Sequence, residues 1–116
     1  MKKMTVEFTV EGFPPAYDSG LSIRNPVHPR YPLVQKLQKA AENAMRRKVL
    51  LKGDVILEVE QETSGDRGAD VANLIGGIAN SLEGISYFND DQIKEVHYRQ
   101  IPSHRDVYKV TIKKME

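Results

Sequence analysis

The sequence contains no cysteine, which removes disulfide frameworks, zinc-thiolate centres and thiol nucleophiles from consideration together. It also lacks any apolar run near the roughly 20 residues that a membrane-spanning helix needs. Met1-Lys2-Lys3 leads directly into alternating residues rather than an apolar signal segment, so the expectation is a cytoplasmic protein with no membrane partner. A strong net charge is missing too, because 17 basic residues oppose 16 acidic ones and leave +1. No overall field therefore steers the chain toward a polyanion, and any phosphate binding must come from local clustering. Internal repeats and low-complexity tracts are absent.

What remains is an ordinary globular composition, 40% hydrophobic and 28% charged over 116 residues, and it predicts one compact domain spanning 1–116. Met4, Val6, Phe8 and Val10 alternate with Thr5, Glu7, Thr9 and Glu11, the period of a strand with one buried face. From Phe13 to Pro32 five prolines and Gly20 predict a long irregular loop. Loops of that length are either functional arms or exposed connectors, and both remain open here.

Between Tyr31 and Leu50, Leu33, Leu37, Ala40, Ala41, Ala44 and Met45 recur at helical spacing, with Lys36, Lys39, Arg46 and Arg47 on other positions. Those cations either track phosphates or form a solvated face. Val55-Ile56-Leu57-Glu58-Val59-Glu60 reads as a second strand with Glu58 and Glu60 on its polar side. Val71, Leu74, Ile75, Ile78 and Leu82 define a second amphipathic helix, with Asp70 as its N-cap and Gly84 at its C-terminal turn. Gln92 to Ile101 and Val107 to Lys113 read as two further strands, expected to pair as a hairpin across Pro102 to Arg105. The fold class is thus α+β, a mixed sheet of about four strands packed with two main helices.

Asp70 opens the second helix, and Asp90-Asp91 occupy the turn that follows it. If the return of the chain brought these carboxylates together, they would suit a hard ion such as Mg²⁺, which takes oxygen ligands and activates water for phosphodiester hydrolysis. Taken singly, each acid is equally well explained as an N-cap or a turn residue. Ala69-Asp70-Val71-Ala72-Asn73-Leu74, Ile78-Ala79-Asn80-Ser81-Leu82-Glu83-Gly84 and Tyr87-Phe88-Asn89-Asp90-Asp91-Gln92-Ile93 together resemble the RusA family of Holliday-junction resolvases in order and interval.

That resemblance implies a homodimeric, magnesium-dependent endodeoxyribonuclease acting on branched DNA, the four-way junction of recombination and repair. By the same likeness Asp70 and Asp91 are metal-binding catalytic acids, Asp90 is a further catalytic candidate, and Arg67, Asn73 and Lys94 are candidates for DNA contact. The chain departs from the family pattern at Ala72 and Asn80, where acids are expected, and at Gly76, where many relatives carry Lys. Fewer anionic ligands and one lost cation weaken metal binding and phosphoryl-charge stabilisation. The alternative is therefore a catalytically impaired homologue that binds branched DNA without cutting it. Asp90, Glu58 or Glu60 are the acids expected to fill a vacated ligand position, and Arg67 the replacement for the missing Lys. Gly76-Gly77 inside a helix costs about 1 kcal/mol per glycine relative to Ala, which is either offset by close approach of another backbone at a subunit contact or of DNA, or is a tolerated weak spot. His28, His97 and His104 have no metal-ligand spacing and receive no role.

Overall fold

The computed structural model describes residues 5–46, 48–65 and 69–115. Met4, expected in the first strand, Arg47, expected on the first helix, and Arg67, a candidate DNA contact, lie outside the described residues. The elements run β1 (Thr5–Glu11), α1 (Tyr31–Ala44), β2 (Val55–Thr63), α2 (Val71–Ser81), β3 (Ile93–Pro102) and β4 (Val107–Lys114). One four-stranded mixed sheet has the order β1-β4-β2-β3. Among the described residues this is the expected α+β class, with two main helices and four strands.

The alternation of β1 places Val6, Phe8 and Val10 under the helices, and Val55, Leu57 and Val59 of β2 lie on the same side. Tyr108, Val110 and Ile112 of β4 complete that floor, onto which Leu37 and Ala41 of α1 and Ile78 of α2 pack. Full burial of each such aliphatic side chain stabilises by about 1.5–3 kcal/mol, so this face sets the register of all three strands. The other face is polar: Glu7 lies beside Thr111, Thr111 beside Glu58, and Glu58 beside His97 across the four strands.

The hairpin expected of the last two strands does not form. β3 runs parallel to β2 at the sheet edge, while β4 lies antiparallel between β2 and β1. Burial decides the outcome. β4 carries five buried residues, Val107, Tyr108, Val110, Thr111 and Ile112, and they need a strand on both sides; β3 buries none. Residues 103–106 instead pass over the end of β2, where the Ser103 N–H donates to Thr63 O at 3.0 Å and the Ser64 N–H donates to Asp106 Oδ1 at 3.1 Å.

α1 ends at Ala44, six residues short of Leu50, the limit expected from its periodicity. The chain leaves the helix to carry Leu51 into the core, where its N–H donates to Ser86 O at 2.9 Å. Gly84 adopts a φ of +82°, as the expected C-terminal glycine turn requires. Among the described residues no helix is long and apolar enough to cross a membrane.

Candidate functional site

α2 begins where its sequence says it must. Asp70, in an extended conformation, accepts the Asn73 N–H at 2.8 Å, and Asn73 Nδ2 donates to its second carboxylate oxygen at 3.3 Å. Both oxygens of Asp70 therefore serve a local cap, which satisfies one of the helix's orphan donors.

Asp90 and Asp91 lie in a 3₁₀ turn, Asp90–Gln92, built by its own side chains. Asn89 Oδ1 accepts the Asp91 N–H at 3.0 Å, and Gln92 Oε1 accepts the N–H groups of Phe88 and Asn89 at 2.8 and 2.9 Å. Gln92 Nε2 then donates to Leu51 O and Gly53 O at 3.0 and 2.8 Å, which fastens the turn to the start of β2. The Asp90 N–H donates to Glu83 Oε2 at 2.9 Å, and Glu83 in turn meets Arg24 at 3.4 Å. Partial desolvation, and then the charges of Glu83 and Asp91, push the Asp90 carboxyl above its ordinary pKa, while Arg24 opposes them.

These acids do not meet. α2 crosses from the Thr63 end of the sheet, where Asp70 caps it, to the Val55 end, where Asp90 and Asp91 follow it. An 11-residue helix lies between them, about 16 Å at 1.5 Å per residue. The expectation that Asp70 and Asp91 share one Mg²⁺ is thereby corrected, because β3 starts beside Val55 and so holds residue 91 at the far end. Among the described residues no group of three or more His, Asp or Glu is placed to hold a metal ion. A magnesium ion bridging Asp70 and Asp91 does not fit this donor arrangement.

Of the proposed substitute ligands, Asp90 shares the turn of Asp91, and the two glutamates do not fill the gap. Glu58 and Glu60 lie on the polar face of the sheet, away from α2, and are ion-paired with Lys113 at 3.2 Å and Arg99 at 3.1 Å. Lys94 is exposed at the Asp91 end of the molecule, whereas Asn73 belongs to the Asp70 end. Asn73 and Lys94 thus lie at different ends of α2, and Arg67 lies outside the described residues.

The glycine pair in α2 has its reason in the proline-bearing loop of the same chain. A Cβ on Gly77 would lie 1.6 Å from Pro15 O, and one on Gly76 3.2 Å from the Tyr17 Cβ. The loop backbone crosses the helix there, and the Tyr17 N–H donates to Asn73 O at 2.8 Å. A Cβ at position 76 would need the Tyr17 side chain to give by a few tenths of an ångström. Gly76 is therefore matched to the loop that covers it.

Sequence reasoning missed a buried histidine paired with Asp18 in that loop. His28 is 4% exposed, accepts the Arg30 N–H on Nδ1 at 2.9 Å and, with its proton placed on Nε2, donates to Asp18 Oδ2 at 2.7 Å. The hydrogen bond from His28, then that from the Gly20 N–H, hold the Asp18 carboxyl below its ordinary pKa. Both ring nitrogens are occupied, so His28 is a brace for the loop rather than a free base. No spacing signal marks an Asp and a His ten residues apart. Tyr17, Asp18, Ser19, Arg30 and Asn73 line a shallow depression of about 310 Å³ beside this brace.

Chemically, the α2 region offers a local cap at one end and a close Glu83/Asp90 pair at the other, with a braced polar loop between them. No protein-family model matches the chain, and no curated protein matches it.

Proposed function

We propose that this protein is a RusA-like module that binds branched DNA without cutting it. One observation carries the choice over a cutting enzyme: Asp70 and Asp91 sit at opposite ends of α2, so metal-assisted attack on one phosphodiester has no common ligand set. The DNA itself is argued from the resemblance of Asp70 to Ile93. It is supported by the α+β order of strands and helices and by exposed Lys36, Lys39, Arg46, Lys48 and Lys52 on and after α1. Cations of this kind contact phosphate rather than read sequence, and they make binding strongly salt-dependent.

The test is electrophoretic retention of a synthetic four-way junction, with linear duplex as competitor, in Mg²⁺ and at several salt concentrations. The expected result is a salt-sensitive complex that prefers the junction and leaves every strand intact. Metal-dependent nicking would overturn the non-cutting assignment, and failure to retain the junction at low salt would overturn the DNA assignment.

A further inference from the structure

Two aromatic residues stand side by side in the turn after α2 and have opposite surroundings. Tyr87 is fully buried, and its hydroxyl donates to Ala79 O at 2.6 Å. Phe88 is 55% exposed, more than any other described phenylalanine or tyrosine. A lone apolar side chain on a surface is ordinary. This one differs because the backbone beneath it is fixed on both sides. Buried Tyr87 anchors the residue before it, the Phe88 N–H donates to Gln92 Oε1 at 2.8 Å, and Asn89 caps the 3₁₀ turn that follows. The ring is held out on a preorganised platform, so little ordering entropy is lost when a flat group settles on it.

A cation stands beside it. The Gln92 amide that accepts the Phe88 N–H donates through Nε2 to Leu51 O and Gly53 O, the carbonyls of the residues on either side of Lys52. Leu51 and Tyr87 form a parallel bridge and are both buried. Lys52 and Phe88, the next residue along each segment, are both exposed and so emerge together on the solvent side. Among the described residues the ion pairs of Lys and Arg use Arg24, Arg30, Arg99, Arg105 and Lys113, which leaves the Lys52 ammonium available to an outside anion.

We infer that Phe88 stacks on a nucleobase that has lost a stacking neighbour, at the point where duplex arms part, with Lys52 against that nucleotide's phosphate. The inference rests on the DNA-binding reading and adds the place where branched DNA is told from linear. Every base has a π-face, so an aromatic ring stacks without regard to sequence. Inside a linear duplex those faces are already covered by neighbouring pairs, whereas a branch point leaves them open. Asp90 and Asp91 follow the ring along the chain and repel phosphate, so the backbone of the stacked nucleotide runs on the Lys52 side. The exposed residues adjoining Phe88, which are Lys52, Asn89, Asp90 and Asp91, are polar or charged, unlike the apolar patch that a protein interface buries.

The chain has no tryptophan, so Phe88→Trp introduces a single stacking reporter. Affinities for a synthetic four-way junction and for a linear duplex with hairpin-closed ends are compared for wild type, Phe88→Ala, Phe88→Trp and Lys52→Gln, with circular dichroism confirming that each is folded. Phe88→Ala should bind the junction about five-fold or more weakly and the closed duplex within about two-fold of wild type. Phe88→Trp should keep the preference, and its emission should be quenched by the junction and not by the closed duplex. Lys52→Gln should weaken junction binding and reduce its salt dependence by about one released ion. An unchanged junction-to-duplex ratio in Phe88→Ala, or emission of Phe88→Trp that a bound junction leaves unaltered, would overturn the stacking site while DNA binding stands; an unchanged salt dependence in Lys52→Gln would overturn its phosphate contact. Failure of wild type to bind either DNA would overturn the DNA reading and this site with it.

Discussion

The backbones of Gly77 and Pro15 touch so closely that a methyl group on Gly77 would sit 1.6 Å from the Pro15 carbonyl oxygen. Gly77→Ala must push the loop off α2, against both a main-chain contact and the Tyr17–Asn73 hydrogen bond. We expect a loss of about 3 kcal/mol or more in urea denaturation, within the range of overpacking and strain effects. Gly76→Ala meets only the Tyr17 side chain at 3.2 Å. Its helix-propensity gain of about 1 kcal/mol should hold stability within about 1 kcal/mol of wild type. Equal losses for the two variants would refute the crossing of loop and helix.

Asp70 acts on the helix end it caps. Asp70→Ala should lower stability by about 1 kcal/mol, and Asp70→Asn by much less, because Asn caps nearly as well. Neither change should alter junction retention. Thermal unfolding and gel shift on the same preparations check both, and a selective loss of retention in the folded Asn variant would return this residue to the binding site.

The Asp18–His28 brace gives an acid-dependent contribution with a definite sign. A carboxyl held below its ordinary value of 3.8 stabilises the fold above that value, and the contribution is lost as pH falls through the lower folded value. Asp18→Asn should therefore be less stable than wild type near neutrality, and the difference should close below pH 3.8. Denaturation midpoints over a pH series supply the comparison; a constant gap down to the lowest pH would contradict it.

Asp90 should behave in the opposite sense. Its pKa is raised by desolvation first and by Glu83 and Asp91 next. The folded state thus holds the proton more tightly than the unfolded chain, and stability falls as pH rises through the interval between the two values. Asp90→Asn should raise the melting temperature near neutrality, with the gain fading as the medium is acidified into the ordinary carboxyl range. A lower melting temperature at neutral pH would show that the carboxylate stabilises the turn rather than straining it.

Much of the architecture is legible in the residues themselves. Val6, Phe8 and Val10, or Val71, Leu74, Ile75 and Ile78, declare their elements because burial of one face imposes its period on the chain. Asp70 and Gly84 mark the limits of α2 for equally local reasons. Pairing is another matter. Nothing near Pro102 tells the chain to skip β2, since that choice depends on where Tyr108, Val110 and Ile112 find cover. The shared metal site fails for a related reason. Residues 70 and 91 bracket a helix, and their separation depends on whether the chain doubles back after Gly84; the anchoring of Gln92 to Leu51 and Gly53 rules that out. His28 is invisible in the sequence because its burial comes from a loop folding over α2, which has no period to read.

β4 touches two strands drawn from distant parts of the chain: Lys113 is paired with Thr5 on one side and Ile56 on the other. Until residues 107–114 slot between them, β1 has no strand to bond with. Assembly therefore cannot proceed in the order of the polypeptide, and closing such remote pairings makes for slow, all-or-none sheet formation. A chain cut short before β4 would lose its central splice and, with it, the whole sheet rather than one margin.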